Sequence, residues 1–151
     1  MARFREATME DLREVTRMTT RFFESTDYSK LMGIQSDPQS VVNSARTFIT
    51  SPECFVGITD GGMICGKLGT WPINLNQTVA QEIAWWVDPD KRGGRTAIEL
   101  FKGFKAWAIR VGAAGITMSC LDCLNGEKIS KFYERLGFRQ SEKSFVMRLE
   151  N

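Results

Sequence analysis

Residues 54–87 hold three consecutive runs of strand-forming residues, and the helical patterns lie outside them. The runs are Cys54–Thr59, Met63–Trp71 and Thr78–Val87. Asp60-Gly61-Gly62 separates the first two and is a hairpin signal. Pro72 and the polar stretch Asn74-Leu75-Asn76-Gln77 break the second run, and Asp88-Pro89 stops the third. Strands grouped in this way, with isolated helical patterns on either side, suggest a mixed sheet with helices on both faces.

The flanks supply those helices. Residues 2–7 read as a short first strand. Thr8 reads as an N-cap with Glu10 and Asp11 in the first turn. Leu12, Val15, Met18, Thr19, Phe22 and Phe23 then recur at helical spacing to about residue 25. Residues 26–36 have no period and read as a loop. Asp37-Pro38 reads as a cap with proline in the first helical position, ahead of Val41, Val42, Ala45, Phe48 and Ile49. Gly93-Gly94 opens a third helix with Ala97, Ile98, Phe101, Phe104, Trp107, Ala108 and Val111 on one face, and Gly112 closes it. Gly115–Leu121 reads as a strand. A fourth helix carries Ile129, Phe132, Tyr133 and Leu136 and ends at Gly137. Residues 138–149 are expected to give one or two closing strands. The order βααβββαβαβ(β) predicts an α/β (α+β) chain forming one domain over residues 1–151.

Composition narrows the chemistry. The net charge of +2, from 20 basic and 18 acidic residues, argues against nucleic-acid binding by bulk electrostatics. There is no histidine. That excludes a Ser-His-Asp or Cys-His nucleophile and any His-ligated zinc, so a general base must come from another side chain or a water chain. Arg3, Arg5 and Glu6 stand where a leader would be apolar, and no apolar run approaches a membrane span. The expected setting is a reducing cytoplasm with free thiols and no membrane. Cys120 and Cys123 have CxxC spacing, but Cys54 and Cys65 form no second pair, so no metal site is expected.

The stretch Val87-Asp88-Pro89-Asp90-Lys91-Arg92-Gly93-Gly94-Arg95-Thr96-Ala97 joins a strand to a helix through a basic, glycine-containing turn. Such a turn exposes main-chain N–H groups at a helix N-terminus, where an anion is favoured, and a pyrophosphate fits it well. Neither the P-loop nor the GxGxxG pattern is present.

This stretch resembles the acetyl-CoA-binding segment of the GCN5-related N-acetyltransferases (GNAT), V-x-P-x-x-R-G-x-G-x-G/A. Val87, Pro89, Arg92, Gly93 and Ala97 match, and Arg95 stands where the family usually has its second glycine. Phe132-Tyr133-Glu134-Arg135-Leu136-Gly137-Phe138 resembles the family's Y-E-K-L-G-F signature, and Asn125 precedes Tyr133 by eight positions, where seven is usual. The Arg-Gly-Gly-Arg variant is similar to that of short phage and prophage acetyltransferases.

The resemblance implies a GNAT fold with one mixed sheet of six to seven strands flanked by about four helices. It implies acetyl-CoA as co-substrate and an amine acceptor, either a small molecule or a protein amine. It also allows a homodimer. The strand ending at Val87 would splay from the strand Gly115–Leu121. The pantetheine arm would pair near Trp86 and Val87, and the pyrophosphate would meet the amides of Arg92, Gly93, Gly94, Arg95, Thr96 and Ala97. Asn125 would also touch the cofactor. Glu82 would take the proton of the attacking amine, from the same sheet face as Trp86, and Tyr133 would protonate the leaving thiolate. The Val87 N–H would hold the oxyanion. The alternative is a CoA-binding GNAT-fold module without catalysis, regulatory or structural.

Overall fold

The computed structural model describes residues 3–121 and 125–150. Five strands form one sheet, and they lie in it in chain order. They are β1 (Arg5–Glu6), β2 (Cys54–Thr59), β3 (Gly62–Trp71), β4 (Asn74–Val87) and β5 (Gly115–Thr117). The first four pair antiparallel, and β5 pairs parallel to β4. Five helices accompany them: α1 (Leu12–Glu24), α2 (Tyr28–Met32), α3 (Pro38–Thr50), α4 (Thr96–Arg110) and α5 (Gly126–Arg135).

Local chemistry accounts for most boundaries. A 3-10 turn at Met9–Asp11 precedes α1, and the Asp11 carboxylate accepts Thr8 N–H at 2.8 Å. Asp37 caps α3 by accepting Ser40 N–H at 2.9 Å, with Pro38 in the first turn. Gly61 turns the β2–β3 hairpin at φ +74, a backbone region closed to most side chains.

Two apolar layers sandwich the sheet. On one face Val15 and Met18 of α1 and Ala45 of α3 pack on Val56, Met63, Cys65, Ala84 and Trp86. On the other, Leu100, Phe104, Trp107 and Ala108 of α4 pack on Phe55, Ile64 and Ala80. The split follows from strand alternation.

The structure corrects several expectations. Among the described residues there are five strands, not six to seven, because 138–149 forms none. Phe145, Met147 and Leu149 are 79–90% exposed, so this alternating segment has no sheet edge to complete it. Among the described residues five α-helices stand where about four are expected, since one turn of helix, α2, occupies the expected loop 26–36. A single turn is too short to show a period, and Gly33 ends it at φ +72. The polar run from Asn74 belongs to β4, because it is the exposed tip of the β3–β4 hairpin, where polar strand residues face water. α4 starts at Thr96, after the glycines instead of at them, because Gly93 adopts φ +84, outside the helical region.

Candidate active site

β4 runs to Val87, but β5 pairs with it only at Val79, Ala80 and Gln81. From Glu82 onward no strand pairs with the β5-side edge of β4 among the described residues, and the stretch between this unpaired edge and the chain after β5 is the candidate groove. The chain after β5 nonetheless stays close. Ser119 N–H donates to the Glu82 carboxylate, and Tyr133 Oη donates to Ser119 O at 2.7 Å. The two expected catalytic residues therefore meet at one residue of the chain that follows β5.

The face of Glu82 differs from the expected one. β3 and β4 pair Cys65 with Ala84 and Gly66 with Glu82, leaving Ile83 as the extra residue of a bulge. Alternation is broken there. Cys65 and Ala84 lie in the layer with Trp86. A Cβ on Gly66 would meet the Phe104 ring, in the α4 layer. Glu82, paired with Gly66, is thus on the α4 face, away from Trp86. Tyr133 reaches the same region from α5, stacked on Trp85 with ring centroids 6.2 Å apart and planes at 12°.

This setting tunes both groups. Glu82 is half-buried. Burial pushes its carboxyl up to about 7, against a smaller opposing effect of the Ser119 N–H. Burial, with the nearby Glu82 charge, also raises the Tyr133 hydroxyl above its ordinary value, so it stays a phenol at neutral pH. Cys65 is no nucleophile: burial pushes its thiol up to about 12. Cys120 is exposed beside Tyr133, while Cys123 lies outside the described residues, and with it the CxxC pair. No cluster of metal-ligating side chains occurs among the described residues.

At the far end of the groove stands the basic turn. A 3-10 turn, Pro89–Lys91, is followed by Arg92 and the two glycines. Arg95 occupies the N-cap position of α4 and makes no side-chain cap, in contrast to Asp37 on α3. The first-turn N–H groups of a helix find no carbonyl within it, so Thr96 and Ala97 present theirs outward. The space over the turn is open: a Cβ on Gly93 would touch nothing within 4 Å, and one on Gly94 only Lys91 O at 4.0 Å. Lys91 is drawn aside to Asp60 at 3.2 Å. The Arg92 N–H is already turned to Pro89 O, at 3.4 Å. Asn125 lies elsewhere, at the N-terminus of α5 with φ 62, where it borders an exposed hollow of about 370 Å³ with Lys128 and Lys131.

A ladder of contacts ties the turn to the sheet. Asp88 N–H reaches Gly61 O at 2.7 Å. Successive residues of an antiparallel strand face toward and away from the partner, so Val87 turns its main-chain groups to the groove. Its C=O accepts Arg92 Nε at 2.8 Å. The Arg92 guanidinium lies 4.8 Å over the Trp86 ring. Trp86 Nε1 donates to Asp88 Oδ1 at 2.7 Å, and Asp88 pairs with Arg17 of α1 at 2.8 Å. The Arg17 guanidinium holds the Asp88 carboxyl below the usual carboxylate range.

Ser119, Asp88 and Arg17 were not legible as site residues. Ser119 acts through its main chain, for which no sequence signal exists. Asp88 reads only as a strand stop before proline.

A search of curated proteins by sequence finds no match. Solved structures are similar along the whole chain. A tetramutant of the BH1408 protein from Bacillus halodurans is 21% identical, with 97% of this chain and 99% of that one covered and a TM-score of 0.76. A transcriptional regulator from Bacillus halodurans C-125 is 18% identical, covering 99% of this chain and 100% of that one, at TM-score 0.78. AAC(6')-Iy, solved with the bisubstrate analogue CoA-S-monomethyl-acetylneamine, is 13% identical, covering 100% and 99%, at TM-score 0.75. These likenesses establish the fold. The model of the acetyltransferase (GNAT) family matches residues 10–138, and the chain belongs to that family of N-acetyltransferases.

Proposed function

We propose that this protein moves an acetyl group from acetyl-CoA directly to an amine, in the groove between β4 and the chain that follows β5. The observation that carries the reading is the unpaired edge of β4 from Glu82 to Val87. It lies between an uncapped basic helix N-terminus and a half-buried carboxylate. The pantetheine arm is a chain of amides of the kind that adds to a sheet edge as a strand does. Its pyrophosphate then falls at the start of α4, where the N–H groups of Gly93, Gly94, Arg95, Thr96 and Ala97 and the Arg95 side chain are available. The CoA-derived ligand of AAC(6')-Iy supports the same choice of donor.

An alkylammonium has a pKa of about 10.4 and cannot attack until it loses a proton. Glu82, its carboxyl pushed up to about 7, is a far better base than an ordinary carboxylate and can accept that proton directly or through water. The Val87 N–H faces the groove and would donate to the oxyanion of the tetrahedral intermediate. A thiolate, whose thiol has a pKa of about 8.5, leaves with little help. The Tyr133 hydroxyl gives that help by turning from Ser119 O to the sulfur as a hydrogen-bond donor and proton source. Asn125, on the exposed start of α5, is assigned to the outer part of the cofactor.

The test is thiol release from acetyl-CoA with a panel of small amines and lysine peptides, preceded by thermal stabilisation with CoA. Stabilisation together with amine-dependent thiol release is expected. Stabilisation without release from any amine would leave a CoA-binding module and refute catalysis.

A further inference from the structure

We infer that Arg92 is a gate on the groove edge of β4, which a diphosphate opens. The inference rests on the CoA reading above. Val87 C=O is a main-chain acceptor on that edge, and Arg92 Nε already occupies it at 2.8 Å. An incoming amide arm that pairs there must displace the guanidinium. The seat is firm, because the guanidinium also lies 4.8 Å over Trp86. Trp86 is in turn held by Asp88, and Asp88 by Arg17.

The residues that follow make the seat reversible. Gly93 at φ +84 and Gly94 have no side chains, and the space above them is open toward the start of α4. A hydrogen bond from guanidinium to an ionised phosphate oxygen is roughly twice as strong as one to a neutral carbonyl. A diphosphate at α4 therefore draws Arg92 off Val87 and clears the edge for the arm attached to it. An arm without a diphosphate meets the edge still occupied. Arg92 thus makes the groove selective for a nucleotide-linked pantetheine over free pantetheine, beyond the contact that phosphate itself supplies.

The experiment compares CoA with pantetheine, which lacks the diphosphate, by titration calorimetry on the wild type, Arg92→Ala and Arg92→Lys. Arg92 is exposed, and a single cooperative thermal transition without ligand verifies folding of the variants. Arg92→Ala is expected to bind pantetheine about tenfold more tightly and CoA about tenfold more weakly than the wild type, changes of opposite sign. Arg92→Lys lacks the Nε–H and the planar face but keeps a charge. It is expected to gain pantetheine affinity while retaining most CoA affinity. Parallel weakening of both ligands in Arg92→Ala, or pantetheine binding that does not improve in either variant, overturns the gate while leaving the CoA reading intact. A wild type that binds no CoA overturns both.

Discussion

The Glu82 carboxyl sits at about 7 in the folded protein against 4.5 for the free side chain, chiefly because burial penalises its charge. Replacing it with glutamine should therefore stabilise the protein, and only above a certain pH. Between 4.5 and 7 the native state holds more protons than the unfolded state, so wild-type stability falls as pH rises through that window. The full shift corresponds to about 3 kcal/mol, and partial solvent exposure of the group reduces this to about 2 kcal/mol. Glu82→Gln keeps a side-chain carbonyl that can accept Ser119 N–H, so little is lost in exchange. At pH 8 the variant should melt about 4–8 °C above the wild type, and at pH 4 the two should coincide. The assay is thermal and urea denaturation of both proteins at half-unit steps from pH 4 to pH 8, with thiol release followed in parallel. Wild-type kcat/KM should rise with an inflection near 7, which Glu82→Gln loses along with most of its rate. A variant no more stable than wild type at pH 8, or a gap that does not widen from pH 4 to pH 8, would refute the burial argument.

Tyr133→Phe removes the hydroxyl while leaving the stack on Trp85, so turnover with acetyl-CoA should drop by about 10²-fold with CoA affinity retained. A steady-state rate equal to wild type would reduce Tyr133 to packing. Arg95→Ala should raise the CoA dissociation constant by about three- to tenfold, and the difference should shrink at high salt because the side chain is exposed. Salt-independent loss measured by calorimetry would argue for a backbone effect instead. Gly66→Ala places a Cβ 2.3 Å from the Phe104 ring, which is wholly buried. It should cost about 2–3 kcal/mol in urea denaturation and push the strand away from Glu82. A variant as stable as wild type would show that Phe104 yields freely.

Much of the candidate site was readable one residue at a time. The basic glycine turn, the carboxylate five residues before Val87 and the tyrosine before the last glycine all lie where the groove is. What the residues could not reveal is how they are connected. Strand alternation placed Glu82 with Trp86, and the single unpaired residue Ile83 reverses that. The reversal depends on where Gly66 sits in the neighbouring strand, so it is a property of the pair. Arg92 illustrates the same limit. Its sequence position marks it for phosphate, while its side chain rests on Val87 and Trp86.

The sequence by itself determined what depends on neighbours a few positions away. The Asp37-Pro38 cap, the turn at Gly61, the glycine endings at Gly112 and Gly137, the apolar stripe of α4 and the absence of histidine chemistry all belong here. These are set by local torsions, side-chain hydrogen bonds and periodicity, and they follow the chain wherever it goes. Tertiary structure alone decided how far β5 accompanies β4, that residues 138–149 find no strand partner, and that Ser119 joins Glu82 to Tyr133. A strand exists only when a second edge satisfies its main-chain groups. A carboxyl near 7 exists only when distant residues have closed over it.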